Sequence, residues 1–355
     1  LDYQATTPLA PEALAAMQPW LGEKFANPHS SHKPGREAAA AIEVAREQVL
    51  TALGGGGQLY FTGSATEAAN WALKTNAGRG KLVTLATEHA CVLDTVEWLA
   101  GQGHEVEVLP VGPDGLVNLS RVEAAVTEGT GLVAAMLVNN EIGVIQPVAE
   151  IADIAHAKGA LFFCDAVQGF GRVPFDQHRC DMIAISAHKI HGPKASGALW
   201  AREGLKLEPF LHGGGQEGGL RSGTLSPTSA AGFGAAAALL GKEGDHVERL
   251  WTVTRELMRD WTLNGSDTHR YHGNLNLRRE GVDAARLISE VREVAFSAGS
   301  ACASGSGRPS HVLAALGLSD REARSAIRLG FGRYTTEAEL RTALALINEA
   351  AERQL

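Results

Sequence analysis

Short apolar runs alternate with helical segments through the first two thirds of this chain, and this order restricts the fold more than any other feature. The runs are rich in aliphatic, β-branched and aromatic residues, as buried strands are. The predicted strands are residues 59–62, 81–85, 105–109, 132–138, 160–164, 182–185 and 197–200. Helices are predicted between many of them, at residues 36–53, 67–77, 92–101 and 148–158. The alternation predicts an α/β fold with a mostly parallel, seven-stranded sheet covered by helices on both faces.

The last third of the chain has a different pattern. A helix over residues 227–261 is predicted to lead into a second unit, and the pattern changes after Asn264-Gly265. Beyond that point we expect a strand at 273–277, a helix at 283–292, a strand at 294–296 and a final helix from about Thr336. The 355 residues suffice for two domains. We therefore predict a large domain at 15–245 and a small α+β domain formed by 1–14 and 246–355.

Composition and charge restrict the ligands and the cellular setting. The net charge of −8 argues against nucleic acid as a direct ligand, because phosphate contacts need clustered Lys and Arg. No run of 18 apolar residues and no charged-then-apolar leader occurs, so neither membrane attachment nor export is expected. The four cysteines are scattered without a CxxC pair, which predicts no metal site and no disulfide framework. A reducing, cytoplasmic location fits best.

Three groups of polar residues follow predicted strands. Lys189 comes after one strand and Asp165 after the preceding one, where a sheet enzyme displays its reactive groups. This pair suits pyridoxal 5'-phosphate, whose aldehyde needs a lysine and whose pyridine nitrogen needs an acid. Ser64 and Thr66 lie in a Gly/Ser/Thr turn before a helix, which is typical of a phosphate site. The alternatives are a solvated Lys–Asp pair and an ordinary helix cap at Thr66.

Other candidates are less specific. Arg328 or Arg333 suits a bidentate contact with a carboxylate, and their spacing does not choose between them. His89 follows a predicted strand and suits either stacking on a planar cofactor or a structural role. Cys302 lies in the run Ser297-Ala-Gly-Ser-Ala-Cys-Ala-Ser-Gly-Ser-Gly307, in which no side chain is larger than a thiol. Such a run predicts neither helix nor strand, and it suits either a mobile reactive thiol or a filler residue.

Ordered motifs from end to end make the chain resemble the cysteine desulfurases of the NifS/IscS-like group, which are fold-type I pyridoxal-phosphate enzymes of the class V aminotransferase family. The matching motifs are LDYQATTP, NPHSSH, GSATEAAN, TEHACV, NNEIG, DAVQ, SAHK, HGPK, GGGQE, RSGT, SAGSACASG, PSHVL and SAIRLGFGR. So many matches in order are far more specific than any single motif.

The resemblance implies a role for each matching residue. Lys189 is expected to bind the cofactor covalently, Asp165 to pair with the pyridine nitrogen, Gln168 to contact the ring hydroxyl, and His89 to stack on the ring and handle protons. Phosphate contacts are implied for Ser64, Ala65, Thr66, Ser186 and His188, and for Thr224 of the neighbouring subunit. Asn140 is expected beside the ring hydroxyl and the substrate, and Asn27 and Arg328 at the substrate carboxylate. Active sites completed across an interface imply a homodimer.

The implied reaction converts L-cysteine to L-alanine and leaves the sulfur on Cys302 as a persulfide. A long mobile loop at about 297–308 is expected to carry this thiol to an acceptor, such as an iron–sulfur scaffold or a tRNA-thiolation protein. One departure is Gly218, where the family often has an arginine after GGGQE. The rival functions are another pyridoxal-phosphate reaction, such as that of a selenocysteine lyase or an aminotransferase, and a scaffold or sulfur carrier without catalysis.

Overall fold

The computed structural model describes residues 1–299 and 310–355, so Cys302 and most of the predicted cysteine loop lie outside the described residues. Within that part of the chain, the backbone forms a seven-stranded and a four-stranded sheet. The strands are β1 Gln58–Thr62, β2 Lys81–Leu85, β3 Val106–Leu109, β4 Thr130–Met136, β5 Leu161–Asp165, β6 Met182–Ser186, β7 Gly197–Ala201, β8 Thr262–Leu263, β9 Asn274–Arg278, β10 Ser297–Ala298 and β11 Ala326–Gly330.

Helices surround both sheets. They are α1 Pro11–Leu21, α2 Lys33–Leu53, α3 Ala65–Asn76, α4 Ala90–Gly101, α5 Leu119–Ala125, α6 Val148–Ala157, α7 Pro227–Ala237, α8 Gly244–Leu257, α9 Ala284–Glu290, α10 His311–Ala315, α11 Asp320–Arg324 and α12 Glu337–Glu352. Short 3-10 turns lie at Ala77–Arg79, Gln177–Arg179, Ala187–Lys189 and Glu217–Gly219.

The large sheet confirms the predicted fold class. Its strand order is β1-β7-β6-β5-β4-β2-β3, and all neighbours are parallel except at β7, which is antiparallel to both β1 and β6. Every residue of β4, β5, β6 and β7 is buried, which explains why their sequences are nearly continuous apolar runs. Because β7 alone is reversed, the ends of the other six strands and the start of β7 meet at one edge of the sheet.

Helix α2 shows how the sequence attaches a covering helix. Its buried side includes Ala38, Ile42, Ala45, Val49 and Leu53, a spacing of three to four residues that matches one helical face. The helix ends where Gly54 adopts a left-handed φ of 105°, a conformation that favours glycine. Pattern and cap together explain why the helix ends at Leu53 as predicted, although it begins at Lys33, three residues before the predicted start.

The small sheet has the order β10-β11-β9-β8 and is antiparallel throughout. Its inner strand β11 and its edge strand β8 were not predicted from the sequence. The N-terminal residues lie against it, since Asp2 pairs with Gly330 through an isolated bridge. The proposed division into 15–245 and the two outer segments stays a prediction.

Two predicted elements are wrong. Residues 227–261 form two helices, α7 and α8, rather than one; the chain turns between them at Gly241, whose φ is 84°. The strand predicted at 294–296 lies instead at Ser297–Ala298, where only two residues pair with β11.

Candidate active site

A cavity of about 560 Å³ lies at the edge of the large sheet where the strand ends meet. Most of the predicted site residues line it, namely Ser64, Ala65, Thr66, His89, Asn140, Asp165, Gln168, Ser186, His188, Lys189 and Arg328. Asn27 and Thr224 are exposed and do not line this cavity of their own chain. Gln4, Ala5, Thr6 and Cys91 also line it, and sequence reasoning missed them.

The turn between β1 and α3 forms one end of the cavity. Ser64 is the N-cap of α3, and its hydroxyl accepts a hydrogen bond from the Glu67 amide at 3.1 Å, so the alternative of a cap at Thr66 is wrong. Glu67 reaches back and accepts from the Gly63 amide at 2.7 Å. The first backbone N–H groups of this 12-residue helix therefore face an end of the cavity that also carries hydroxyls. Such an arrangement binds phosphate well.

The start of β7 closes this turn from the other side. A Cβ atom on Gly197 would lie 2.4 Å from the Ser64 carbonyl carbon, so only glycine permits the two backbones to approach this closely. The reversed strand thereby contributes Ala195 and Ser196 to the cavity wall. This contact depends on residues more than a hundred positions apart, and the sequence pattern did not indicate it.

Asp165 ends β5 and lies at the floor of the cavity with an exposed fraction of 5%. Its Oδ1 accepts from the Val167 amide at 3.0 Å. Burial raises the pKa of this carboxyl, although the charges of His89 and Lys189 oppose the rise. A buried carboxylate in this state is stabilised by a further positive partner such as a protonated pyridine nitrogen.

Glu88 is a second buried carboxyl near the cavity floor, and sequence reasoning missed it. Its Oε1 accepts from the Met136 amide at 2.7 Å, while Oε2 has no hydrogen-bond partner among the described residues. Burial, followed by the charge of Asp165, raises the pKa of Glu88 well above its ordinary value. Both causes favour the protonated form of Glu88. The only sequence signal was its place directly before His89.

Lys189 follows β6 in the turn Ala187–Lys189, and its Nζ donates to the Ala5 carbonyl at 2.9 Å and to the Gln4 carbonyl. The N-terminal segment thus forms the wall opposite the sheet. His188, its neighbour, has its pKa lowered to about 4 by burial and by the charge of Lys189. His188 is consequently neutral near neutral pH.

His89 is the N-cap residue of α4, and its Nδ1 accepts from the Cys91 amide at 3.1 Å. Burial lowers the pKa of this imidazole, while the charge of Asp165 acts in the opposite direction. A neutral ring whose Nδ1 accepts carries its proton on Nε2. The local contact and the burial therefore set both the charge and the tautomer of His89.

Arg328 forms the end of the cavity opposite the phosphate-binding turn. It lies on β11 with an exposed fraction of 1%, pairs with Asp2 at 2.8 Å and donates to the Asn140 carbonyl at 3.1 Å. Its Nε has no hydrogen-bond partner among the described residues. Arg333 instead pairs with Glu243 at 2.6 Å and does not line the cavity. Of the two arginines left open by the sequence, Arg328 is the one that lines the site.

Two ion pairs attach the segment before Thr224 to its surroundings, one to the phosphate-binding turn and one to helix α2. Arg221 pairs with Glu67 at 2.6 Å, and the buried Glu217 pairs with Arg46 at 2.9 Å. Gly218 adopts a φ of 66°, so the departure from the family motif falls at a position that glycine tolerates better than arginine. Thr224 itself lines a small cavity of about 160 Å³ beside Gly63.

These residues fit pyridoxal phosphate and an amino acid. The cavity offers a lysine amine, a buried carboxyl, a helix N-terminus and a buried arginine. Within residues 1–299 and 310–355, no group of three or more His, Cys, Asp or Glu side chains could hold a metal ion. In the same part of the chain, no helix is long and apolar enough to cross a membrane.

Comparisons with known proteins identify the family and the fold. The class-V aminotransferase family matches residues 1–342. The cysteine desulfurase IscS of Rickettsia bellii is 42% identical over 366 residues, which cover 98% of this chain and 89% of that protein. A solved structure of a NifS-like protein has a TM-score of 0.92 at 33% identity, with 99% of this chain and 98% of that chain covered.

A second solved structure, described as SspA in complex with cysteine, has a TM-score of 0.84 at 34% identity and covers 94% of this chain and 99% of that chain. Family match, sequence relatives and fold therefore agree over nearly the whole length. The chain belongs to the class-V aminotransferase family and, within it, to the cysteine desulfurases of the NifS/IscS-like group.

Proposed function

We propose that this chain is a pyridoxal-phosphate-dependent cysteine desulfurase that converts L-cysteine to L-alanine and leaves the sulfur on Cys302 as a persulfide. The observation that carries the proposal is the convergence of Lys189, Asp165 and the N-terminus of α3 on one cavity. The 42% identity to a named cysteine desulfurase supports the choice of reaction.

Different residues around the cavity contact different parts of the cofactor. Lys189 holds it covalently, Asp165 pairs with its pyridine nitrogen, Gln168 contacts its ring hydroxyl and His89 stacks on its ring. Its phosphate is held by Ser64, Ala65, Thr66, Ser186 and His188, with Thr224 contributed by a second copy of the chain. When bound, the cofactor withdraws electrons from the Cα atom of the amino acid attached to it.

The substrate lies between this region and Arg328. The Arg328 guanidinium binds the cysteine carboxylate beside Asn140, and the resemblance assigns a further contact to Asn27, which does not line this cavity of its own chain. The Lys189 amine, when it is not bound to the cofactor, would accept the Cα proton. His89, when neutral and with its proton on Nε2, is suited to donate a hydrogen bond without adding a positive charge to the cavity.

Cys302 completes the reaction from the segment 297–308. Its thiolate attacks the substrate sulfur, so an S–S bond forms while the Cβ–Sγ bond breaks. The electron pair of the broken bond stays with the three-carbon fragment, which takes up a proton and leaves as alanine. Cysteine and the Cys302 thiol thus become alanine and a persulfide, with no oxidant required.

We test the proposal by adding cysteine to the protein loaded with pyridoxal phosphate and measuring alanine and persulfide. Cys302→Ser is expected to abolish the persulfide and most alanine, and Lys189→Ala to abolish both. Because Cys91 also lines the cavity, mass spectrometry of the two cysteine peptides identifies which thiol takes the sulfur. Undiminished alanine release by Cys302→Ser without reductant contradicts the role of Cys302.

The proposal extends to the assembly and the partner. Exposed Thr224 suits a homodimer in which each copy completes the other's phosphate site. The sulfur acceptor is an iron–sulfur scaffold or a tRNA-thiolation protein, and the setting is cytoplasmic. Sedimentation of the protein loaded with pyridoxal phosphate tests whether it is a dimer. Thr224→Ala is expected to weaken cofactor binding without dissociating the dimer.

A further inference from the structure

Arg172 lies outside the cofactor cavity but contacts two residues that line it. Its side chain lies in the wall of a separate cavity of about 1030 Å³, between α2, α7 and α8. From there its Nη1 donates to Gln168 Oε1 at 2.6 Å and its Nη2 donates to the Lys189 carbonyl at 2.5 Å. The Tyr271 ring lies 5.5 Å from the guanidinium carbon. The Arg172 side chain therefore contacts both Gln168 and Lys189 from outside the cofactor cavity.

The partners of Gln168 fix the orientation of its amide. A guanidinium has only donors, so the atom that faces Arg172 must be the amide oxygen. On the other side, Gln168 Nε2 donates to the Gln4 carbonyl at 2.9 Å, and a carbonyl only accepts. If the amide were turned over, its NH2 group would face the Arg172 guanidinium, donor against donor. Its oxygen would then face the Gln4 carbonyl, acceptor against acceptor. The second Nε2 hydrogen is thus the group that Gln168 offers to the cavity.

We propose that Arg172 is a positioning residue that holds the Gln168 amide with its N–H toward the cavity, so that Gln168 donates a hydrogen bond to the ionised ring oxygen of the cofactor. The inference rests on the function proposed above. Arg172 does not touch the cofactor and acts only through Gln168 and through the backbone of Lys189.

A donor at the ring oxygen has a measurable consequence. Hydrogen bonding to an ionised oxygen lowers its affinity for a proton, so loss of the donor raises the pKa that governs the colour of the lysine-bound cofactor. If Gln168 rotates freely in Arg172→Met, this spectroscopic pKa should rise by about one unit, as expected for loss of one hydrogen bond to a charged group. Arg172→Lys, which has a single ammonium and cannot reach both acceptors, should give a smaller rise.

A double-mutant cycle separates positioning from a general structural role. The pH titration of visible absorbance is measured for the wild type, Arg172→Met, Gln168→Ala and the double variant. Positioning through Gln168 predicts that Arg172→Met has little further effect once Gln168 is alanine. Arg333→Met is the matched control, because it removes a half-buried, ion-paired arginine that contacts neither Gln168 nor Lys189. It should leave the spectroscopic pKa unchanged.

A second measurement does not depend on the cofactor. In crystal structures of the free protein, Arg172→Met should show the Gln168 amide turned or in more than one rotamer, while Arg333→Met should show it unchanged. An unchanged Gln168 in Arg172→Met overturns the inference, as does an equal spectroscopic shift in both Gln168 backgrounds. If no variant binds pyridoxal phosphate, the proposed function fails, and the crystal comparison still decides whether Arg172 orients Gln168.

Discussion

The two ends of the active-site cavity are built in different ways. At the phosphate end, the hydroxyl of Ser64, the amide of Glu67 and the returning carboxylate of Glu67 all belong to one turn. At the opposite end, Arg328 is held by Asp2 and by the carbonyl of Asn140, which are 326 and 188 positions away in the sequence. The hydrogen bonds that shape the first end are local, although Gly197 and Arg221 pack against them, whereas the second end is held by tertiary contacts alone.

This difference predicts how each end responds to change. A local turn keeps most of its shape when one side chain is lost, because its backbone is fixed by the helix that follows. A buried arginine depends on every partner, since an uncompensated charge in the interior is costly. We therefore expect the largest effects of substitution at the Arg328 end and smaller effects at the Ser64 end.

Arg328→Met is the strongest test of the comparison. Loss of a buried cation that contacts the substrate carboxylate should lower kcat/KM for cysteine about a hundredfold, equivalent to ~3 kcal/mol. It also removes the ion-pair partner of Asp2, so the free energy of unfolding should fall by about 2 kcal/mol. Steady-state alanine formation and urea unfolding measure the two effects.

Arg328→Lys provides the matched variant, since it keeps the charge but not the planar fork. It should recover stability more than kcat/KM, because the ion pair needs a charge whereas a bidentate contact with the substrate carboxylate needs the planar guanidinium. The affinity for pyridoxal phosphate should change little in either variant. An equal loss of cofactor affinity and of kcat/KM in Arg328→Met would contradict the separation of the two ends.

Ser64→Ala tests the local end. Removing an N-cap hydroxyl should lower the free energy of unfolding by about 1 kcal/mol. The affinity for pyridoxal phosphate should fall about tenfold, which corresponds to one hydrogen bond to a charged group. Calorimetric titration of the free protein with the cofactor gives the second value.

Thr336→Ala is the control for this variant, because Thr336 caps α12 in the same way and lies far from the cavity. Thr336→Ala should lower the free energy of unfolding by about as much as Ser64→Ala does and leave the affinity for pyridoxal phosphate unchanged. If both variants lose the same affinity, the effect comes from helix stability and not from the phosphate site.

The same division explains what the sequence could predict. The alternating pattern predicted all seven strands of the large sheet, because continuous apolar runs are the direct result of burial on both faces. It did not predict β11, whose buried centre is Arg328, since a charged residue in the middle of a strand gives no burial signal. Only the folded contacts with Asp2 and Asn140 make that position suitable for an arginine.

The candidate site shows the same limit. Residues that follow predicted strands, such as Lys189 and Asp165, were found because strand ends of a parallel sheet meet at one edge. Gln4 and Ala5 were missed, since nothing local indicates that the N-terminal segment crosses the cavity. The local sequence did not decide whether Cys302 is a reactive thiol or a filler residue. Cys302 lies outside the described part of the chain.

Glu88→Gln gives the smallest expected effect. It tests a residue that is held by a contact distant in the sequence, the Met136 amide, and that the sequence did not identify although its neighbour His89 was found. The raised pKa of Glu88 means that the folded protein holds its proton more tightly than the unfolded chain. The stability that this proton confers is complete below the ordinary pKa of 4.5 and is lost as the pH rises from there toward the folded-state pKa. A neutral glutamine has no such dependence. Urea unfolding of the cofactor-free protein, measured from acid to mildly alkaline pH, should therefore decline less steeply for Glu88→Gln than for the wild type. Parallel curves for the two proteins would mean that the folded state does not raise the pKa of Glu88.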